Sequence, residues 1–193
     1  MLCKQNLIFY FCSNLYGTCL SNLLPVNEFK WLDSNEIQSI DWQSIDENAN
    51  QGYILEVDLR YPEGLHESHA EFPLAPIKRK ITFNDLSPLQ QRRLIEDKGE
   101  RKAKSYKSEK LVVTLEDRNN YVVHIKNLKL YLKLGMKLNK VHRVLTFRQS
   151  AFIEPYVSYF TRKRQMARNG FEKTIAKLAI NAVYGIYNSN INL

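Results

Sequence analysis

Apolar runs predict two strands in the first third of the chain. Leu7–Phe11 is wholly apolar and rich in aromatic residues, as buried strands are; the SNLYG segment that follows it indicates a turn. Gly52–Tyr61 is β-branched and aromatic, and Pro62 ends it because proline has no N–H to donate to a sheet. The polar, acidic residues 33–51 between them predict a surface connection with at most one short helix.

The middle of the chain predicts a basic loop and then a β-hairpin. Residues 78–110 contain eleven basic and five acidic residues and no sustained apolar period, and Lys98–Lys110 is predicted to be a mobile loop. Leu111–Leu115 (LVVTL) and Tyr121–Ile125 (YVVHI) flank the polar EDRNN, which favours a hairpin of these two strands. Apolar residues between 128 and 134 then indicate a short helix.

The last third predicts a strand followed by two antiparallel helices. Val141–Phe147 has strand character, and Pro155 starts a helical stretch to about Arg168. The Asn169–Gly170 turn signal separates it from a second helix that begins at Phe171. The second helix is amphipathic, with apolar residues Ile175, Leu178, Ala179, Ala182 and Val183.

The charged residues are distributed unevenly along the chain. The 193 residues are 44% hydrophobic, enough for a core, and carry a net charge of +8. Residues 1–75 have 3 basic and 11 acidic residues, whereas residues 76–193 have 25 and 9. The basic part favours an anionic partner, either nucleic acid or a membrane surface.

Membrane and secretory signals are missing from the sequence pattern. No stretch approaches membrane-spanning length, and the apolar run Leu7–Cys12 is too short for a signal peptide. Cys3, Cys12 and Cys19 are odd in number and clustered, so they predict no disulfide framework. We therefore expect an intracellular protein, in the nucleus or cytoplasm, that is not secreted and has no membrane partner.

One stripe of the second helix combines residues that suit a nucleotide. Lys177, Asn181 and Tyr184–Gly185 are spaced i, i+4 and i+7 to i+8, which places them on one face. Lysine can neutralise a triphosphate, tyrosine can stack on a base pair, and glycine lets a backbone approach. The alternative is an ordinary amphipathic helix with a solvated lysine and a core tyrosine.

KLAINAVYG resembles motif B of family B DNA polymerases, K-x-x-x-N-S-x-Y-G. It matches at Lys177, Asn181, Tyr184 and Gly185 and has Ala182 where serine is usual. Near the other end, SNLYG resembles the core of motif A in the same family. This resemblance makes Tyr16 the steric gate that senses the sugar.

The same resemblance puts catalysis in doubt. It aligns Phe11 with the motif A aspartate that holds both Mg²⁺ ions, and a phenyl ring cannot coordinate magnesium. No DTD or DSD sequence of the motif C type occurs in the chain. Mg²⁺ is thus expected as the cofactor of intact relatives, with no metal bound catalytically in this copy.

Longer blocks, including GYILEVDLRYPEGLHESHAEFPLAP and FEKTIAKLAINAVYG, are similar to protein-primed polymerases of Polinton-type transposons and virus-like elements. The resemblance implies an α+β fold with a partial palm, built of an antiparallel sheet with helices, and a helical-hairpin fingers element. Residues 1–75 would be a palm segment with a degenerate motif A, residues 76–150 a basic loop, β-hairpin and palm or insertion segment, and residues 151–193 the fingers hairpin. Primer-template DNA, deoxynucleotides and a terminal priming protein are the implied partners.

Several other groups are candidates for binding. Glu56 and Asp58 share one face of a strand and offer a substitute metal site, although paired carboxylates are common on solvated faces. His66 and His69 with Glu67 could form a transition-metal cluster, but the two histidines lack the i, i+4 spacing of zinc helices and no cysteine joins them. The basic residues of the first hairpin helix would contact DNA phosphates or simply be solvated; they are Arg162, Lys163, Arg164 and Arg168.

Three hypotheses follow from these patterns. In the first, the chain is a polymerase fragment without activity that retains affinity for DNA or nucleotide. In the second, it is a non-enzymatic, basic nucleic-acid-binding module in which Tyr16 and Tyr184 only pack. In the third, it is a decayed gene product without a stable fold.

Overall fold

The computed structural model describes the backbone of residues 15–189 and the side chains of residues 15–185. The predicted strand Leu7–Phe11 lies outside these residues. The fold is α+β, as expected. The helices are α1 (Leu15–Leu20), α2 (Ser34–Ser39), α3 (His66–His69), α4 (Pro88–Lys98), α5 (Glu100–Lys104), α6 (Ile125–Lys133), α7 (Glu154–Gln165) and α8 (Gly170–Ser189). The strands are β1 (Leu24–Trp31), β2 (Gln51–Arg60), β3 (Ile77–Thr82), β4 (Lys107–Val112), β5 (Arg118–His124) and β6 (Lys137–Ser150).

The strands form two sheets. The larger has the order β1-β6-β2-β5, and the smaller consists of β3 and β4. β2 and β5 are antiparallel, with Leu55 opposite Val123, and their register shifts between Val57 and Leu59. β3 and β4 are also antiparallel, with Ile77 opposite Val112.

The chain divides into two compact units. One, called here the sheet unit, comprises Trp31–Ile45 and Tyr53–Leu145. The other, called the hairpin unit, comprises the described residues up to Lys30, together with Asp46–Gly52 and the chain from Thr146 onwards. The sequence division at residues 75 and 150 stays a prediction about family segments.

The core of the sheet unit follows from the two periodicities of its sequence. Alternate residues Leu55, Val57 and Leu59 of β2 are buried, because neighbouring side chains of a strand point to opposite faces. Ile125, Leu128 and Tyr131 form the buried stripe of α6 at the helical spacing. These two rows meet in one hydrophobic cluster.

The hairpin unit has a smaller core, made by the two long helices and α1. Val157 of α7 and Ile180 of α8 are buried and pack with Leu20. Pro155 lies in the first turn of α7, where its missing N–H costs nothing. Asn169 caps α8, since its side-chain oxygen accepts a hydrogen bond from the Glu172 N–H at 2.9 Å.

Most of the predicted helices and strands are confirmed, although they begin or end at different residues. The expected strand at Gly52–Tyr61 is β2, the short helix predicted from residues 128–134 is α6, and the expected helical hairpin is α7 and α8. The strand predicted at Val141–Phe147 is confirmed but extends further in both directions as β6. The acidic connection 33–51 contains one short helix, α2, and the Asp33 carboxylate accepts a hydrogen bond from the Glu36 N–H.

Two predictions about the chain's local structure are wrong. The turn expected at SNLYG is helical from Leu15, in α1. The mobile loop expected at Lys98–Lys110 contains α5 and the start of β4. The helix α5 is short and charged, and it is held by Ala103, which is fully buried. A single small apolar residue gives no periodic pattern, so the hydrophobic pattern of the sequence did not predict this helix.

The predicted hairpin of Leu111–Leu115 with Tyr121–Ile125 is also wrong. β4 ends at Val112 and pairs with β3, whereas β5 pairs with β2. Both segments are strands, but apolar β-branched residues suit many partners, and packing in the folded chain decides the pairing. None of the described helices is long and apolar enough to cross a membrane.

Candidate functional site

Two tyrosines from opposite ends of the sequence stack on one another in the hairpin unit. Tyr16 of α1 and Tyr184 of α8 have ring centroids 4.2 Å apart and an interplanar angle of 27°. Their exposed fractions are 56% and 42%, so part of each ring still faces solvent. Offset stacking of this kind is favourable, and it joins the two segments that carry the sequence motifs.

The stripe predicted on the second helix is present and open to solvent. Lys177, Asn181 and Gly185 follow one another at successive turns of α8, and all three are exposed. Among the described residues, none forms an ion pair with the Lys177 ammonium. Its positive charge is therefore available to an anionic ligand.

Gly185 ends the stripe without being required by the fold. A Cβ added to Gly185 would meet no atom within 4 Å. The described surroundings leave room for a side chain at this position, so glycine keeps the surface open to an approaching molecule.

Basic residues of α7 line two cavities of the hairpin unit, together with Arg168, which lies in the turn after α7 and not on the helix as predicted. Arg162 and Arg164 line a cavity of about 720 Å³ between α1, α7 and α8, together with Lys173. Lys163 and Arg168, again with Arg162, line a second cavity of about 730 Å³ at the end of the helical hairpin. The four predicted cations therefore line two cavities, and Arg162 lines both.

Sequence reasoning missed Lys173 as a site residue. Lys173 lies one turn before Lys177 on the same stripe of α8 and faces the cavity that Arg162 and Arg164 share. Its i, i+4 spacing from Lys177 was the available signal. With it, the stripe presents two successive ammonium groups.

Within the sheet unit, Glu56 forms an ion pair with an arginine and Asp58 lies close to a histidine. Arg143 Nε lies 2.6 Å from Glu56 Oε2, and His142 Nε2 lies 2.8 Å from Asp58 Oδ1. The Asn120 N–H also donates to Asp58 Oδ1 at 2.8 Å. This backbone hydrogen bond, and then His142, hold the pKa of Asp58 below its usual range.

These contacts place nitrogen donors against one oxygen of each carboxylate. Mg²⁺ takes oxygen ligands in octahedral geometry, so a metal at Glu56 and Asp58 would compete with the donors on Glu56 Oε2 and Asp58 Oδ1. Over the part of the chain that the structure describes, no group of three His, Cys, Asp or Glu residues is placed to hold a metal ion. Phe11, at the expected motif A metal position, lies outside that part.

His66 and His69 make aromatic contacts with a buried residue. Tyr61 is 3% exposed, and the centroid of its ring lies 5.7 Å from each imidazole centroid, in edge-on geometry. The Tyr61 hydroxyl is 2.8 Å from His69 Nδ1. These contacts give the histidines a structural role.

Comparison with known proteins gives the family that the two sequence motifs resemble. A family model described as DNA polymerase type B, organellar and viral, matches residues 3–192. Neither a search of curated proteins nor a search of solved structures gives a match. The family model covers nearly the whole chain, including both stacked tyrosines and the Lys177 stripe. The chain therefore belongs to the organellar and viral type B DNA polymerases.

Proposed function

We propose that this chain binds an incoming deoxynucleotide and primer-template DNA without incorporating the nucleotide. The single observation that carries the proposal is the stack of Tyr16 on Tyr184, 4.2 Å between centroids, beside the exposed cations of α8. Members of the family are DNA polymerases, so template DNA and deoxynucleotides are the ligands to expect on this surface.

Each residue of the stripe has a role in the proposal. Lys177 neutralises the triphosphate and Asn181 donates or accepts a hydrogen bond beside it. Tyr184 stacks on the nascent base pair, which brings the sugar within reach of Tyr16, the steric gate. Gly185 leaves room for the template backbone, and Arg162, Lys163, Arg164 and Arg168 contact DNA phosphates.

The absence of incorporation follows from Phe11. Two-metal phosphoryl transfer needs oxygen ligands for both ions, and the family resemblance places Phe11 where the first aspartate is expected. Glu56 and Asp58 are a poor substitute because Arg143, His142 and Asn120 compete for one oxygen of each carboxylate. Mg²⁺ is accordingly proposed as a cofactor of intact relatives only.

The biological setting is part of the same proposal. The sequence blocks similar to Polinton-type elements support an origin in a transposon or virus-like element, and with it a terminal priming protein as a further partner. The proposal also places the chain inside the cell, in the nucleus or the cytoplasm.

Thermal unfolding with and without ligand tests nucleotide binding. A deoxynucleotide at about 100 times its Kd should stabilise the folded chain by about 2.7 kcal/mol, which raises Tm by several degrees for a chain of this size. Lys177→Ala should remove this rise. Lys102→Ala, an exposed lysine of α5, is the matched control and should keep it.

The same thermal unfolding experiment also tests the proposed role of Tyr16 as the steric gate. Tyr16→Ala should let the ribonucleotide stabilise the chain as much as the deoxynucleotide does, since the ring that excludes the 2′-hydroxyl is gone. No stabilisation by any nucleotide, or equal loss in Lys177→Ala and Lys102→Ala, would contradict nucleotide binding. Magnesium-dependent extension of a primer by the purified chain would contradict the inactive assignment.

A non-enzymatic nucleic-acid-binding module is the second candidate, and the charge distribution favours it. Residues 76–193 carry 25 basic and 9 acidic residues, and such a surface binds phosphates without using a nucleotide site. Salt-sensitive DNA binding together with no response to deoxynucleotide would select this function over the first.

A further inference from the structure

The end of the helical hairpin exposes three large apolar side chains that line one cavity. Phe171 is 75% exposed, Met166 71% and Tyr159 55%, and all three line the cavity of about 730 Å³ where α7 turns into α8. These three residues are called the tip patch. Soluble proteins rarely leave large contiguous apolar surface exposed without a binding role.

Cations surround the tip patch. Arg162, Lys163 and Arg168 line the same cavity, and Lys163 Nζ lies 5.5 Å from the centroid of the Tyr159 ring, within cation–π range. The surface therefore combines flat apolar rings with positive charge.

One carboxylate, that of Glu172, also lines the cavity. It accepts hydrogen bonds from residues just before α8. Glu172 Oε2 accepts a hydrogen bond from the Arg168 N–H at 2.8 Å, and Oε1 accepts one from Asn169 Nδ2 at 3.2 Å. Three cations against one engaged carboxylate leave the cavity positive.

We propose that the tip patch is a binding site for single-stranded nucleic acid. Unpaired bases stack on the exposed faces of Phe171 and Tyr159, while Lys163, Arg168 and Arg162 contact the phosphates between them. Single-stranded nucleic acid is the ligand that offers flat apolar faces and regularly spaced negative charges together. A blunt duplex has the charges but keeps its bases stacked inside, and an acidic peptide lacks the row of flat rings.

This site is separate from the nucleotide stripe, although it rests on the proposed DNA binding of the same hairpin. Phe171 precedes Lys177 by six residues on α8, which is about 9 Å along the axis and a rotation of about 240° at 100° per residue. The two residues thus lie on different faces, and a variant of one leaves the other intact.

Fluorescence anisotropy of the full chain with a labelled single-stranded oligonucleotide tests the proposal. Phe171→Ala should weaken binding about tenfold or more, because stacking on one aromatic ring is lost, and Phe171→Trp should retain it. Arg168→Ala should lower the slope of log affinity against log salt by about one unit, whereas Phe171→Ala should leave that slope unchanged. Phe72→Ala is the control, since Phe72 is 81% exposed but belongs to the sheet unit.

Three outcomes would overturn the assignment. The first is an equal loss of affinity for blunt duplex and single strand in Phe171→Ala. The second is the same effect in Phe72→Ala. The third is unchanged oligonucleotide affinity with reduced self-association in sedimentation, which would assign the patch to protein contacts.

The nucleotide experiment separates this proposal from the proposed function. Lys177→Ala should abolish stabilisation by deoxynucleotide and leave single-strand affinity unchanged. Single-strand binding that depends on Phe171, without any response to nucleotide, would support the proposed role of the tip patch and contradict the nucleotide site. A nucleotide response that depends on Lys177, without single-strand binding that depends on Phe171, would contradict only the proposed role of the tip patch.

Discussion

A side chain at Gly52 would collide with two neighbouring side chains of the hairpin unit. A Cβ added there would be 2.3 Å from Phe147 Cε2 and 2.6 Å from Gln149 Oε1, far inside van der Waals contact. Gln149 is 1% exposed, and its Nε2 donates to Ala49 O at 2.7 Å, so it cannot swing away without losing that bond. Glycine at this position is required by space.

We therefore expect Gly52→Ala to destabilise the protein by about 1–3 kcal/mol, the usual cost of overpacking a core. Gly64→Ala is the control, because a Cβ at Gly64 meets no atom within 4 Å. Urea unfolding followed by circular dichroism should show a lower midpoint for the first variant only. Equal midpoints for the two variants would mean that β2 and β6 relax around the methyl group at no cost.

At the scale of the elements, one buried arginine holds the segment that runs from β3 to β4, residues 77–112, which is called here the excursion. Arg118 is 3% exposed, and its guanidinium donates to Ala75 O at 2.7 Å, just before β3. It also donates to Thr114 O at 2.8 Å and Glu116 O at 2.6 Å, just after β4. Burial lowers the pKa of Arg118, and the carbonyl oxygens compensate for the lost hydration. Arg118 thus holds both ends of the excursion at the start of β5.

Replacing Arg118 by methionine should cost about 3 kcal/mol, because buried carbonyl oxygens lose their charged donor. Chemical denaturation measures the loss, and proteolysis should cut residues 113–117 faster. Arg101→Met, at an exposed position of α5, is the comparison and should change the stability little. A stable Arg118→Met variant with an unchanged proteolysis pattern would show that the β3–β4 pairing holds the excursion by itself.

At the scale of the whole molecule, the described parts of the two compact units differ in the number of buried apolar residues that cluster together. Within the described residues, twelve buried residues form the cluster of the sheet unit and three form the cluster of the hairpin unit. The described hairpin unit also exposes large side chains such as Phe171, Met166 and Ile175. Local stability follows buried apolar contact, so the units should open with different free energies.

Hydrogen exchange measured by mass spectrometry should show this difference. We expect the amides of β2, β5 and α6 to exchange more slowly than those of α7 and α8. A saturating single-stranded oligonucleotide should slow exchange near the turn between α7 and α8, where the tip patch lies. Uniform protection of both units would contradict the ranking and indicate a single cooperative transition.

The sequence by itself determined the family, the α+β class and the positions of most helices and strands. KLAINAVYG has its informative residues at fixed spacing within three helical turns, and the apolar periods of β2, α6 and α8 are equally local. The tertiary structure decided which strands pair, because β4 could satisfy its backbone groups with several partners and only the fold gives it β3. It also brought Tyr16 to Tyr184, grouped Lys173 with Arg162 and Arg164, and gave Glu56 and Asp58 their partners. These relations join residues far apart in sequence, where no local period carries information.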